Sequence, residues 1–219
     1  MNWAVSDLSV QEAYKLLVNT VVPRPIALVT TLDRSGRPNA APFSFFNVFS
    51  HAPALVVLGI ERLQPDGEDE GRNKDTLTNI RRSGEFVINL VDRALLPAMN
   101  ICALDFPPDV DELEVAGLEH AASKQVRPPR IAASPVQLEC RETMSLGLGQ
   151  HGRFLVIGEV LQIWVKDAAI DHKMHIDIDQ LDLVGRVHGR DWYVAAKDCF
   201  QAARAEMRSH AETQEGPPA

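Results

Sequence analysis

Cysteine is scarce in this 219-residue chain, and the three present, Cys102, Cys140 and Cys199, are widely spaced. An odd number with no CxxC pair argues against a disulfide framework or a zinc site. Reduced thiols, some of them buried, are the expected state. Long apolar runs are missing too: no stretch approaches the roughly 20 residues of a membrane-crossing helix. The opening Met1-Asn2-Trp3-Ala4-Val5-Ser6-Asp7 has no basic region followed by an apolar core, so the expected location is the cytoplasm. Positive charge is in deficit, 22 Lys and Arg against 30 Asp and Glu, for a net charge of −8. That balance disfavours non-specific nucleic-acid binding, which rests on phosphate neutralisation. No G-x-S-x-G elbow occurs, so a hydrolase triad has no support. His51, His120, His188 and His210 are scattered, without a partner that sequence can assign.

What is present reads as one β-rich domain over residues 1–205 followed by a disordered tail, 206–219. Val10, Ala13, Leu16 and Leu17 predict a helix over 9–20, stopped by Arg24-Pro25. Ile26 to Leu32 is a strand, and Asp33-Arg34-Ser35-Gly36-Arg37-Pro38 has hairpin-turn chemistry. The return strand, Asn39 to Ser44, carries Pro42 and so reads as an edge or a bulge. An aromatic loop, Ser44 to Phe49, leads to a strand over Ala54–Ile60. A polar, acidic loop runs from Glu61 to Arg72. A helix then opens at Asn73-Lys74-Asp75-Thr76, with Leu77 and Ile80 apolar, Asn73 or Asp75 as cap and Gly84 just past its end.

Phe86 to Val91 is a strand and Ala94 to Leu104 a helix with Leu95, Leu96 and Met99 on one face. Residues 105–135 read as an excursion from the sheet. Val136, Leu138 and Cys140 alternate with Gln137, Glu139 and Arg141, a half-buried strand. Phe154 to Val165 is the longest strand, with Gly158 as a bulge, and Leu183 to Tyr193 is a short terminal strand and loop. The first three strands have no helix between them. A mainly β fold follows, a β-barrel with peripheral helices rather than a parallel α/β sheet.

Four segments carry possible chemistry. Gly147-Leu148-Gly149-Gln150-His151-Gly152 matches G-x-G-x-x-G, but a strand follows it, so a hairpin loop is the better reading than a dinucleotide site. Asp171 to Asp179 offers Asp and His side chains without a zinc scaffold, and reads as a solvated loop with no metal. Three of the chain's eight Phe residues, Phe45, Phe46 and Phe49, crowd into five positions among Ser44, Asn47 and Ser50. That mixture suits a flat, partly polar ligand, although Phe45 and Phe46 could equally fill a barrel end or an interface. Adjacent residues of an extended chain face opposite sides, so one Phe can enter the core while the other meets a ligand. At Lys74-Asp75-Thr76 a helix N-terminus adds free amides to a cation and a hydroxyl, a set able to hold a phosphate. A capped surface helix with solvated charges fits the same residues.

Taken together, these segments resemble the flavin reductase-like family with the FMN-binding split-barrel fold, which includes flavoredoxins. Three stretches carry the likeness: Pro23-Arg24-Pro25-Ile26-Ala27-Leu28-Val29-Thr30-Thr31 through Asn39 to Asn47; Lys74 to Ile80 with Gly84 to Asn89; and Val156-Ile157-Gly158-Glu159-Val160. The resemblance covers about residues 10 to 195. It implies a homodimeric, mainly β split barrel of Greek-key character with peripheral helices. FMN would lie at the interface, its ring against Ser44, Phe45, Phe46 and Asn47, with Ser50 nearby. Its phosphate would be held by Lys74, Asp75 and Thr76, with help from Thr30 and Thr31. The implied activity is NAD(P)H:FMN oxidoreduction, NADH or NADPH passing a hydride to flavin, with reduced flavin or electrons going to a partner oxygenase or other acceptor. No catalytic residue is required for that step. His151 is a nicotinamide-side candidate, although its distance to Gly158 departs from the family pattern. An FMN-binding electron carrier or redox sensor without reductase turnover, or an interaction protein that has lost the ligand, uses the same fold.

Overall fold

Two residues impose the shape of the main sheet. In the computed structural model, which describes residues 1–62, 73–149, 152–189 and 191–202, the strands are β1 (Arg24–Pro25), β2 (Ala27–Leu32), β3 (Pro38–Phe43), β4 (Phe46–His51), β5 (Ala54–Glu61), β6 (Glu85–Leu90), β7 (His120–Ala121), β8 (Arg130–Ile131), β9 (Val136–Leu148), β10 (Arg153–Val165), β11 (Val184–Arg186) and β12 (Tyr193–Ala195). Seven of them form an antiparallel sheet in the order β3-β2-β6-β9-β10-β5-β4. The edges β3 and β4 are consecutive in sequence, joined only by Ser44 and Phe45. Laid flat, seven strands would hold these edges roughly 29 Å apart, whereas the link spans at most about 11 Å. The sheet must therefore curl into a barrel. The link is fastened to the far side, where the Gly59 amide of β5 donates to the Phe45 carbonyl at 2.7 Å. Gly59 permits this approach, since a Cβ there would stand 3.0 Å from Phe45 Cβ.

The inward residues alternate as strand geometry requires. Ala27, Val29, Phe43, Phe46, Val56, Leu58, Phe86, Ile88, Leu138, Cys140 and Val156 fill the barrel. Leu77 and Ile80 of helix α2 (Asp75–Ser83) join the same core. Gly158 sits at a register shift between β9 and β10, the expected bulge. The fully buried Phe86 occupies the space a side chain would need: a Cβ at 158 would lie 2.9 Å from Phe86 Cε1 and overlap Cζ. Gly158→Ala should therefore destabilise the fold by about 1–3 kcal/mol through overpacking, measured by chemical denaturation. An unchanged midpoint would show that Phe86 has room to move.

A second core lies outside the barrel. Ile26, Leu28 and Ala40 pack there with Val91, Leu95, Met99, Cys102, Leu113 and Ile131. The cover comes from α3 (Leu96–Ile101), α4 (Glu112–Val115) and the short β7–β8 pair. Double coverage explains why β2 is buried on both faces from Ala27 to Thr31 and opens on an apolar run. Strands β1, β11 and β12 form a separate small sheet, helix α5 (Ile178–Leu181) precedes β11, and α1 (Val10–Thr20) opens with a Ser9–Glu12 capping box.

The structure departs from the sequence reading in four places. The aromatic loop is mostly strand: β4 begins at Phe46, with a register shift between Val48 and Ser50. As an exposed edge it buries little beyond Phe46, so no alternation marks it. The half-buried strand at 136–141 is buried on both faces as far as Cys140, because the excursion covers Gln137 and Glu139. Glu139 is fully buried, with amides of Lys124 (3.0 Å) and Gln125 (2.6 Å) and the Trp164 indole N–H (2.6 Å) donating to it. Burial pushes this carboxyl up, but those donors outweigh it and hold it below the usual range. Helix α3 is shorter than Ala94–Leu104, although Leu95 and Met99 are buried as expected. Arg24-Pro25 pairs with β11 rather than merely ending α1.

Gly147 lies in β9, and Gly149 and Gly152 flank the β9–β10 turn with φ of 65° and 62°, so the glycine motif is a hairpin. Cys102 and Cys140 are buried free thiols, and Cys199 is exposed. His151, Arg72, most of the acidic loop and residues 206–219 lie outside the described residues.

Candidate functional site

Helix α2 is held from its buried face by Thr76, Leu77, Asn79 and Ile80, and ends at Gly84 with φ 70°. Its start is unusual. The N-cap position falls on Lys74, whose side chain makes no cap. The expected cap by Asn73 is not made, because Asn73 Oδ1 accepts from Arg62 Nε at 3.2 Å. Asp75, the alternative cap, is the first helical residue instead. The N-cap side chain leaves the helix start uncovered at the positive end of the helix dipole. Lys74 is half-buried and has no ion-pair partner among the described residues. Arg62 and Arg81 lie over the Phe154 ring, 5.7 and 5.6 Å from its centroid, and add cations to this flank.

Behind the helix start lies a buried polar chain. The Thr76 and Thr31 hydroxyls both donate to Asn39 Oδ1, at 3.0 and 3.3 Å. Asn79 Nδ2 donates to Thr31 Oγ1 at 3.0 Å. Asn39 Nδ2 donates to Glu112 Oε1 at 2.8 Å, and the Ala40 amide donates to Glu112 Oε2 at 3.0 Å. All five of these side chains are buried. Burial pushes the Glu112 carboxyl up against the opposing pull of the Ala40 amide and Asn39. Thr76, expected at the surface as a donor, thus turns its hydroxyl inward. Thr30 faces the other side of β2, where its hydroxyl donates to the Pro129 carbonyl at 2.5 Å and accepts from Asn89 at 3.3 Å. The structure brings Thr31, Thr76 and the neighbourhood of Lys74 together, and leaves Thr30 apart. Asn39, Asn79 and Glu112 were not singled out by sequence. Asn79, one helical turn after Thr76, carried a weak signal, whereas Glu112 carried none.

At the other end of β3, the Phe43–Phe46 link divides its aromatics as alternation requires. Phe46 is 8% exposed and Phe45 40% exposed. Ser44 is half-buried and Asn47 exposed. Asn47 Oδ1 accepts the Val48 amide at 2.8 Å, and Ser50 Oγ accepts the Ala52 amide at 3.3 Å. These side chains shape the backbone more than they offer free donors. Asn39 and Ser44 are five extended residues apart, about 17 Å, a span on the scale of a flavin mononucleotide.

Two clefts bear on the position of the site. One of about 290 Å³ is lined by Asp33, Arg34, Asn39, Asp75, Asn79 and Arg82, beside the start of α2. The other, about 520 Å³ and apolar, lies among Pro25, Ile26, Leu90, Val91 and Val184. Neither is lined by Lys74 or by the Ser44–Phe46 link. Phe45 instead lies over Gly59 on the outer face of β5. On that face Met144, Ile157 and Val57 share one row across β9, β10 and β5, and Leu146, Leu155 and Gly59 share the next. Met144 and Leu146 are 56% and 48% exposed. An apolar sheet face of this kind marks an interaction surface.

At 171–179 the Asp171 carboxylate accepts the Lys173 and His175 amides at 2.8 and 2.9 Å, so it organises a turn. Among the described residues no cluster of three His, Cys, Asp or Glu is placed to hold a metal.

Residues 19–178 match the family model described as a flavin reductase like domain. An uncharacterised protein of Deinococcus radiodurans is 41% identical over 198 residues, covering 87% of this chain and 84% of that relative. Nitrilotriacetate monooxygenase component B from Bacillus cereus superimposes with a TM-score of 0.85 at 28% identity, over 92% of this chain and 98% of that one. The 2-nitrobenzoate 2-nitroreductase of Pseudomonas fluorescens does so with a TM-score of 0.81 at 30% identity, over 96% and 98%.

Proposed function

The chain belongs to the flavin reductase-like family, and from that membership we propose that it is an FMN-binding, NAD(P)H-dependent flavin reductase of the cytoplasm. The observation that carries the reading is the uncapped start of α2 beside Lys74, a strand's length from the Ser44–Phe46 link. Its donor set, helix amides and an ammonium, fits a phosphate monoester better than a neutral group. Lys74 and the Thr76 amide of α2, with Asp75 beside them, would hold the phosphate. The Thr31 and Thr76 hydroxyls would act from behind, fixing the helix start rather than touching the ligand. Thr30, joined to Pro129, would hold the excursion against the barrel. The backbone of Ser44, Phe45, Phe46 and Asn47 would support the ring, with Ser50 shaping the strand beyond it.

Bound there, FMN would supply the chemistry of accepting a hydride from a reduced nicotinamide, which would leave oxidised, and of passing the electron pair to an acceptor. The protein's part is to orient the ring and keep water from it, a part suited to the exposed Phe45. Because Phe45 lies over the outer face of β5, a second copy of the chain would complete the site through the apolar rows of β9, β10 and β5. The oxygenase component and nitroreductase among the similar structures support two acceptor classes, a partner oxygenase and a small molecule. His151 stays a nicotinamide-side candidate.

Anaerobic mixing of the FMN-loaded protein with NADH, and separately with NADPH, tests the activity. Rapid loss of the oxidised flavin bands with one of them is expected. Tight FMN binding without bleaching by either would overturn reductase turnover in favour of an electron carrier or redox sensor.

A further inference from the structure

Glu112 is a buried acid on a short helix, outside the segments that point to a flavin. It reaches β3 across 73 positions of sequence and receives two hydrogen bonds there. We infer that Glu112 is a positioning residue for the phosphate end of the site: it fixes the amide of Asn39, and through it the Thr31 and Thr76 hydroxyls that set the start of α2. The inference rests on the reading that FMN binds with its phosphate at that helix start.

Donor and acceptor roles fix the orientation of Asn39. An Asn amide has an accepting end and a donating end, and either can point either way. An ionised carboxylate only accepts. With one oxygen taken by the Ala40 amide at 3.0 Å, the other meets the donating end of Asn39 at 2.8 Å. Asn39 Oδ1 is therefore turned toward α2, where it receives Thr76 at 3.0 Å and Thr31 at 3.3 Å. Thr31 gives its single proton to Asn39 and uses a lone pair for Asn79 at 3.0 Å. Every step has one direction, and the carboxylate sets it.

If the Asn39 amide were reversed, Thr31 would accept from two NH₂ groups and its own proton would lose its acceptor. The Thr76 hydroxyl would lose its acceptor and turn elsewhere in the first turn of α2. The helix start would then be held less firmly where the phosphate needs its amides. The neighbouring Cys102 supplies no rival charge: burial pushes its thiol up to about 12, and its Sγ sits 3.7 Å from the Glu112 carbonyl. The acid also satisfies the Ala40 amide, which as part of an edge strand would otherwise be unpaired. The excursion at 105–135 thereby gains a role, carrying Glu112 to the sheet on a helix capped by Asp111, whose Oδ1 accepts the Leu113 amide at 2.9 Å.

FMN and riboflavin share the ring and differ in the phosphate, so their affinities separate positioning of the phosphate end from general support of the fold. Both are titrated by flavin fluorescence against the wild type, Glu112→Gln and Asp111→Ala. Gln keeps the size of Glu but puts an NH₂ group against one of the two donors. Glu112→Gln should weaken FMN about tenfold and leave riboflavin unchanged. Asp111→Ala loosens α4 from the surface without touching the buried pair, and should weaken FMN about threefold. It serves as the test if Glu112→Gln fails to fold. A wild-type preference for FMN that survives in the folded variants, or an equal loss of both ligands, would overturn the role of Glu112 alone. A wild type with no preference for FMN over riboflavin would overturn the phosphate-end reading and this inference with it.

Discussion

Lys74→Ala is expected to weaken FMN binding by about 1.5–3 kcal/mol, on the order of 10- to 150-fold, with riboflavin binding and the folding midpoint unchanged. The size follows from a charge-assisted hydrogen bond between an ammonium and a phosphate, made where helix amides already favour an anion. Lys74 is half-buried and makes no cap, so its removal leaves no protein group unsatisfied. The loss should shrink as salt is raised, because the wild-type attraction is then screened. Lys74→Ala acts directly on the phosphate, whereas Glu112→Gln acts through Asn39. The first should therefore reduce the salt dependence of FMN binding and the second should leave it intact. Unchanged FMN affinity in a folded Lys74→Ala protein would remove Lys74 from the site.

Leu146→Glu is expected to turn the proposed dimer into a monomer and to abolish tight FMN binding at the same protein concentration. Leu146 is 48% exposed on the outer face of β9, in register with Leu155 of β10. A single chain tolerates a carboxylate there, since water still reaches it. Buried against a second copy, the same carboxylate costs several kcal/mol without a partner. Sedimentation of the variant reads the assembly, and an FMN titration on the same sample reads the site. A dimer of unchanged affinity would place the interface elsewhere. A monomer with wild-type affinity would show that one chain holds the ligand by itself.

The parts legible in the sequence were those whose signals are local. The turn at Asp33 to Pro38, the strands over Ala54–Ile60 and Phe154–Val165, the bulge at Gly158 and the glycine ending α2 each rest on neighbours a few residues away. Together they led to a barrel. The strand β4 was not legible, because an exposed edge has no buried side to impose a period. The burial of Gln137 and Glu139 was not legible either, since their cover comes from residues of the excursion. At the candidate site, Lys74 and Thr76 could be placed at a helix start because a helix start has a sequence pattern. The direction of the Thr76 hydroxyl could not be read, because its acceptor lies 37 positions away on β3. Asn39 and Glu112 belong to the same class: buried polar residues whose partners only the folded topology brings together.

The ligand that the protein holds is the most direct test of a phosphate site at the start of α2. Purified under mild conditions and titrated with FMN, FAD and riboflavin in turn, the protein should bind FMN most tightly. Any yellow cofactor that co-purifies should be released and identified as FMN. A colourless protein that binds none of the three, or one that binds riboflavin as well as FMN, would contradict a site built around a phosphate at the start of α2.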